Sequence, residues 1–140
     1  MISLTNRQIS FSNVKPPVFE ECEKMFCISW DNTIFAYNWT IHAKDPEKLS
    51  QDVIEHEIVH FTQQEKYGGA EKWWKEYLSN PTKRLEWEIE AYRHQYRYLK
   101  KSGVDRNALA KIVWFWANQL SGNGYGYIIK HNEAIKNITC

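Results

Sequence analysis

Two histidines and a glutamate in the segment His56-Glu57-Ile58-Val59-His60 have the residue types and the spacing for metal-dependent hydrolysis. If the segment is helical, His56 and His60 lie one turn apart, about 6 Å along the axis and about 40° around it. Two imidazoles in that relation can bind one zinc ion. Glu57 is rotated by about 100° from His56, so its carboxylate can reach a metal-activated water instead of the metal. This is the H-E-x-x-H pattern of zinc-dependent hydrolases, a short motif that also occurs by chance.

The motif lies in a helix that is predicted to begin after the N-cap Ser50 and to end at Gly68-Gly69. Its polar half contains the motif's histidines and glutamate together with Gln63 and Gln64. Its apolar half contains Ile54, Ile58 and Phe61. A solvated polar face with surface glutamines is the ordinary interpretation of such a pattern. A hydrolase requires instead that the polar face is directed into a cleft.

A catalytic zinc of this kind needs a third protein ligand and an open position for water. A helix predicted over residues 82–102 offers three glutamates. With Leu85 as zero on the helical wheel, Glu86 and Glu90 lie at about 100° and about 140°, on an exposed face of mixed charge. Glu88 lies at about 300°, at the border of the buried stripe, where a carboxylate needs a partner. Glu88 is therefore the predicted third ligand, with Glu90 as the alternative.

The elements that must position these side chains are predicted to be a β-hairpin followed by helices. Residues 33–43 alternate apolar with small or polar side chains, which is typical of a half-buried strand. Residues 25–29 are its predicted partner, and Trp30-Asp31-Asn32-Thr33 the turn between them. Residues 1–18 are predicted to be an extended arm laid over the domain. Beyond the motif helix, further helices are predicted over 70–79, 82–102, 106–120 and 127–138, with a loop over 121–126.

These elements predict a single α+β domain over residues 1–140, mostly helical, in which a hairpin or small sheet packs on the motif helix and a helical bundle follows. The 18 Lys and Arg residues balance the 17 Asp and Glu residues, so we expect no nucleic-acid or membrane partner. The N-terminus lacks the pattern of a signal peptide, and no apolar run approaches a membrane span. Three cysteines are expected to be free thiols in a reducing compartment, the cytoplasm.

The combination of HEIVH with a later helix carrying Glu88-Ile89-Glu90-Ala91 resembles the gluzincin class of zinc peptidases, whose third ligand is a glutamate on a downstream helix. More narrowly, the order and spacing of several segments resemble small metallopeptidase-like proteins encoded by bacteriophages. The similarity covers about residues 14–98, through FCISWD (26–31), TIHAK (40–44), HEIVHFTQQ (56–64), WWKEYL (73–78) and RLEWEIEAYRHQ (84–95). Larger gluzincins often carry Asp four residues after the third ligand to orient a histidine. That place is Tyr92 here, so the orienting groups are left open.

The resemblance implies a minimal gluzincin-like core with one Zn²⁺ ion bound by His56, His60 and Glu88, acting on a peptide or protein in the host cytoplasm. Glu57 would be the general base, taking the proton of the activated water and delivering it to the leaving amine. The developing oxyanion needs a further donor. The candidates are Tyr92, Tyr96, His94 and His131. The alternative function is non-catalytic, either a zinc-stabilised module or an interaction or virion-associated component of a bacteriophage.

Overall fold

The helix that contains the motif lies between a small sheet and the remaining helices. The computed structural model describes residues 8–140. As predicted, the fold is α+β and mostly helical. In chain order its elements are β1 (Ser10–Ser12), α1 (Phe19–Phe26), β2 (Phe35–Tyr37), β3 (Thr40–His42), α2 (Gln51–Lys66), α3 (Ala70–Ser79), α4 (Pro81–Lys101), α5 (Arg106–Leu120) and α6 (His131–Thr139).

The sheet has the strand order β1-β3-β2, with β1 parallel and β2 antiparallel to β3. The hairpin turn lies at Asn38 and Trp39, whose φ angles of 51° and 62° are both left-handed. Two left-handed residues form the tight turn whose twist matches antiparallel strands. The turn predicted at residues 30–33 is therefore wrong. Trp30–Asn32 is a short 3₁₀ turn in which the Ser29 hydroxyl accepts from the Asp31 amide at 3.3 Å.

The predicted strand over residues 25–29 is also wrong, because Met25 and Phe26 end helix α1. Phe19 and Cys22, three residues apart, are both buried on one face of this helix. Packing of that face outweighs the strand propensity of residues 25 and 26. The arm predicted over 1–18 is extended where Ser10–Ser12 pairs with β3. It then bends and turns over residues 13–17, and Val18 is buried just before α1. Residues 1–7 of that arm lie outside the described part of the chain.

The helices follow the predicted boundaries closely where a capping residue marks them. Asn80 accepts from the Lys83 amide at 3.2 Å ahead of α4, and Asp105 accepts from two amides at the start of α5. Helix α6 begins at His131, four residues later than predicted, after the segment 121–130 of turns and loops. Across residues 8–140, none of the helices combines the length and the apolar character that crossing a membrane requires.

Helix α2 has a different partner on each of its two sides. Phe61, Ile54 and Ile58 pack against the sheet through Ala36, Trp39 and Ile41. The opposite side faces α4, its most extensive neighbour among the described elements. The polar half of α2 is therefore enclosed between helices.

Candidate metal centre

The polar face of α2 is buried instead of solvated. His56 and Glu57 are each 7% exposed, and His60 is 5% exposed. Gln63 and Gln64 are buried with them, so the expectation of helix-surface glutamines is wrong. The wheel alone could not show this, because the groups that cover this face come from α4 and from the hairpin, both more than twenty residues away in the chain.

Three potential ligand atoms meet on this face. The Nε2 atoms of His56 and His60 lie 3.1 and 3.2 Å from the same oxygen, Oε1 of Glu88. All three ligand atoms lie within 4.8 Å of one another. Zinc–ligand bonds of about 2.0–2.1 Å at tetrahedral angles would separate ligand atoms by about 3.3–3.4 Å. The donor types and the two histidine–carboxylate separations therefore suit a zinc ion.

The structure places Glu88, not Glu90, beside the histidines. Glu88 is 8% exposed and Ala91, next to it on the helix face, is fully buried, so α2 approaches α4 closely at this point. Glu90 is exposed and accepts a hydrogen bond from Gln63 instead. Glu86 is also exposed and lies 3.7 Å from Lys83 in an ion pair. The helical-wheel ranking of the three glutamates agrees with this placement.

Each histidine is oriented by a glutamine whose amide is held in turn by a carboxylate. The Nδ1 atom of His56 lies 2.9 Å from Oε1 of Gln95, and Nε2 of Gln95 donates to Asp52 at 2.7 Å. This chain of contacts joins α2 to α4 and back to the first turn of α2. It provides the orienting group that the sequence left open for His56.

The second histidine has a matching arrangement. The Nδ1 atom of His60 lies 2.9 Å from Oε1 of Gln63, whose Nε2 donates to Glu90 at 2.7 Å and to the Trp87 carbonyl at 3.0 Å. Both histidines therefore have a neutral amide oxygen at Nδ1.

These contacts determine which histidine nitrogen carries the proton. A carboxylate only accepts, so the Gln95 amide must point its NH₂ at Asp52 and its oxygen at the histidine. Nδ1 of His56 then carries the proton, and a neutral ring directs the lone pair of Nε2 at Glu88. The same holds for His60. Three acceptors that converge in this way repel one another unless a cation or added protons lie between them.

In the metal-free site, an added proton on a histidine can relieve the repulsion among these three acceptors. Burial alone would lower the pKa of His60, but the charge and hydrogen bond of Glu88 raise it to about 9. Burial would raise the pKa of Glu88, and the two histidines instead hold it well below its usual value. Glu88 thus remains an anion, and its second oxygen, Oε2, accepts from the Tyr77 hydroxyl at 2.6 Å.

Glu57 differs from Glu88 in having no hydrogen bond or ion pair to any residue of the described part of the chain. It is nevertheless buried and lines a cleft. Burial raises its pKa, and the neighbouring histidines only partly offset that effect. A carboxylate with a raised pKa and no protein partner, facing a cleft, has the properties of a general base.

The cleft has a volume of about 600 Å³ and includes all four motif and ligand residues. Its other walls come from α1, the segment 28–34, β2, α3, α4, the end of α5 and the loop at 122–125. Of the four candidates for oxyanion donor, Tyr92 lines the cleft. His94 lies instead against Glu55 at 2.9 Å, and His131 against the Trp114 carbonyl at 3.2 Å. Tyr96 packs in the helical core between α4, α5 and α6.

Sequence reasoning missed four contributors to this site. A signal existed for two of them, because Gln95 lies seven residues after Glu88 and Gln63 lies three residues after His60, in each case on the same helix face. No comparable pattern marked Asp52 on α2 and Tyr77 on α3, whose roles depend on contacts between elements.

Compared with known proteins, the chain matches no family model, no curated protein and no solved structure.

Proposed function

We propose that this chain is a zinc-dependent hydrolase, most simply a small metallopeptidase. His56, His60 and Glu88 hold one zinc ion and Glu57 is the general base. The observation that supports this best is the position of Glu57, a buried carboxylate without a partner among residues 8–140, beside three converging metal-binding atoms in one cleft. A structural zinc site typically closes the ion with four protein ligands, whereas three lie together in the described residues.

Zinc is the metal that suits this donor set. Two imidazole nitrogens with one carboxylate oxygen are the ligands of thermolysin-type catalytic zinc, which keeps a further position open. When bound, the ion would acidify a water molecule and polarise the carbonyl of the bond to be cleaved.

The protein's own groups complete the proton transfers. Glu57 accepts a proton from the attacking water and returns it to the leaving amine, and its raised pKa favours both halves of that cycle. The glutamines hold Nδ1 of each histidine protonated, so that Nε2 is available for the ion. Tyr77 fixes the carboxylate plane of Glu88.

Tyr92 is the proposed donor to the developing oxyanion. Its ring packs against His56, with ring centroids 4.5 Å apart, and it lines the cleft. Burial and the nearby Glu88 raise the pKa of Tyr92 well above its usual value, so the phenol keeps its proton and can donate it in a hydrogen bond.

We further propose that the protein acts in the reducing cytoplasm of a host cell. All three cysteines are free, and Cys27 and Cys140 are exposed, a state that such a compartment maintains.

The test of catalysis is a comparison of wild type with Glu57→Gln on a library of peptides, both loaded with zinc. Removing a general base lowers kcat by about 10²- to 10⁴-fold, while zinc content should be unchanged. Glu86→Gln is the matched control, because Glu86 is an exposed glutamate on α4. Equal cleavage by wild type and Glu57→Gln, or no cleavage by either, would remove the case for Glu57. The second outcome would favour a non-catalytic, zinc-stabilised interaction component.

A further inference from the structure

We propose that Arg84 binds a carboxylate group of the substrate inside the cleft. The inference rests on the proposed hydrolase function and adds a substrate class to it. Arg84 is 5% exposed and lines the same cleft as Glu57 and Glu88. Among the described residues that line this cleft it is the one Lys or Arg.

Arg84 is close to the proposed metal position. It precedes Glu88 by four residues on α4, so the two side chains project from the same face about 6 Å apart along the helix axis. Arg84 contacts the end of α3 and the loop at 122–125, whereas Glu88 faces the histidines of α2, and both residues line the same cleft. A group bound to Arg84 is therefore within reach of the bond that is cleaved.

The guanidinium group is held in a fixed orientation by backbone carbonyls. Its Nη1 donates to the Tyr77 carbonyl and, at 3.2 Å, to the Leu78 carbonyl in the last turn of α3, and its Nε donates to the Gly124 carbonyl at 2.9 Å. The ring of Phe26 lies 5.0 Å from the guanidinium carbon. The charge is thus positioned before any ligand arrives, which reduces the entropy lost on binding.

These contacts leave part of the group unused. Within residues 8–140, Nη2 has no hydrogen-bond partner, and it is not among the atoms sealed from solvent. No carboxylate in that part of the chain lies within ion-pair distance of Arg84. A mainly buried cation without an anionic partner is costly. The carbonyls of α3 offset part of that cost through the helix dipole, and an incoming carboxylate would offset more.

The position of Arg84 limits where that carboxylate lies in the substrate. Because Arg84 lines the same cleft as Glu57 and Glu88, the carboxylate belongs to a part of the substrate near the cleaved bond. Two sources share this chemistry: a free C-terminus, as in a carboxypeptidase or dipeptidyl carboxypeptidase, and an Asp or Glu side chain.

Matched peptide pairs test the inference and separate the two sources. In the first kind of pair, an N-acetylated hexapeptide has either a C-terminal acid or a C-terminal amide. In the second kind, both peptides are C-terminal amides, and one carries Asp or Glu where the other carries Asn or Gln. A charge-assisted hydrogen bond predicts that one of the two carboxylates increases kcat/KM by about 10- to 100-fold. Cleavage of both members of every pair at equal rates would overturn the inference and leave the hydrolase function standing.

Substitution of Arg84 provides the second arm. Arg84→Gln should remove the preference for the carboxylate while peptides without one are still cleaved, and Arg84→Lys should retain part of it. Arg97→Gln is the control, because Arg97 is exposed on the same helix and contacts the Cys140 carbonyl. Circular dichroism establishes that each variant is folded. Should Arg84→Gln not fold, the wild-type peptide pairs and Arg84→Lys decide the question.

A binding measurement distinguishes failure of this inference from failure of the proposed function. Zinc-loaded Glu57→Gln protein is titrated with the acid and the amide form of acetyl-Leu-Phe, and with acetyl-Asp-Phe-amide and acetyl-Asn-Phe-amide, by isothermal calorimetry. At least tenfold tighter binding of one carboxylate form that is lost in the Arg84→Gln variant of the same protein supports the role of Arg84, even if no peptide is cleaved by wild type. A preference that persists in that variant would reflect binding of the carboxylate to zinc and contradicts the inference. Equal affinity within each pair, or no binding of any of the four, contradicts it.

Discussion

Gln95→Leu is the substitution that isolates the orientation of a metal-binding histidine from the ligands themselves. Leucine has a similar volume but no acceptor, so His56 loses the oxygen 2.9 Å from its Nδ1. Asp52 loses the donor at 2.7 Å in the same change. The residues proposed to bind zinc are untouched. Any loss of zinc affinity therefore measures what the amide contributes by fixing the ring and its proton.

The expected losses of zinc affinity and of stability in Gln95→Leu follow from the contacts of Gln95. Groups that orient a metal-bound histidine contribute about 10- to 100-fold in metal affinity, or about 1.4–2.7 kcal/mol. Gln95 is 5% exposed, so its removal also leaves a buried N–H without an acceptor, which lowers the free energy of unfolding by about 1–3 kcal/mol. Asp52→Asn should have the smaller effect of the two, because an asparagine oxygen can still accept from Gln95.

The assay is competition for zinc against a chromophoric chelator of known affinity, with folding checked by circular dichroism. Gln51→Leu is the matched control, since Gln51 is an exposed glutamine at the start of α2 whose side chain donates to Glu55, away from the histidines. We expect the control to bind zinc as wild type does. A folded Gln95→Leu protein whose zinc dissociation constant lies within threefold of wild type would show that the amide does not orient His56 as argued.

Two further outcomes follow from the same structure. Zinc at a free concentration a hundredfold above its dissociation constant should add about 2.7 kcal/mol to the free energy of unfolding, which for 140 residues raises Tm by about 9 °C. Differential scanning calorimetry measures this shift, and a chelator should reverse it. An unchanged Tm would contradict the zinc site. Burial, with a smaller effect of Glu21, raises the pKa of Cys22 to about 12. At pH 8 a thiol-reactive disulfide should therefore modify Cys27 and Cys140 within minutes, and Cys22 only after unfolding in guanidinium. Rapid reaction of all three thiols in the native protein would show that Cys22 is accessible.

The parts of the site that could be predicted from the sequence depend on spacing within single helices. His56, Glu57 and His60 are related by one helical turn, and the ranking of Glu88 over Glu86 and Glu90 needs only a wheel for α4. The caps at Asn80 and Asp105 are equally local, because each side chain bonds an amide two or three residues away.

What could not be predicted depends on contacts between distant elements. The solvated appearance of Gln63 and Gln64 was misleading because α4 and the hairpin cover them, and Gln64 donates to the Ala36 carbonyl at 2.7 Å. The hairpin was misplaced for a related reason. Asp31-Asn32 has the composition of a tight turn, whereas the turn forms at Asn38-Trp39, where the buried Trp39 ring stacks on Phe61 of α2.

Binding of zinc by this chain is tested by the zinc content of the purified protein after zinc loading and gel filtration, measured by mass spectrometry of the metal. We expect one zinc per chain for wild type and for Glu86→Ala, and less than a tenth of an equivalent for Glu88→Ala at the same protein concentration. Less than a tenth of an equivalent in wild type would contradict a zinc site. Equal retention of zinc by Glu88→Ala and Glu86→Ala would contradict Glu88 as the third ligand.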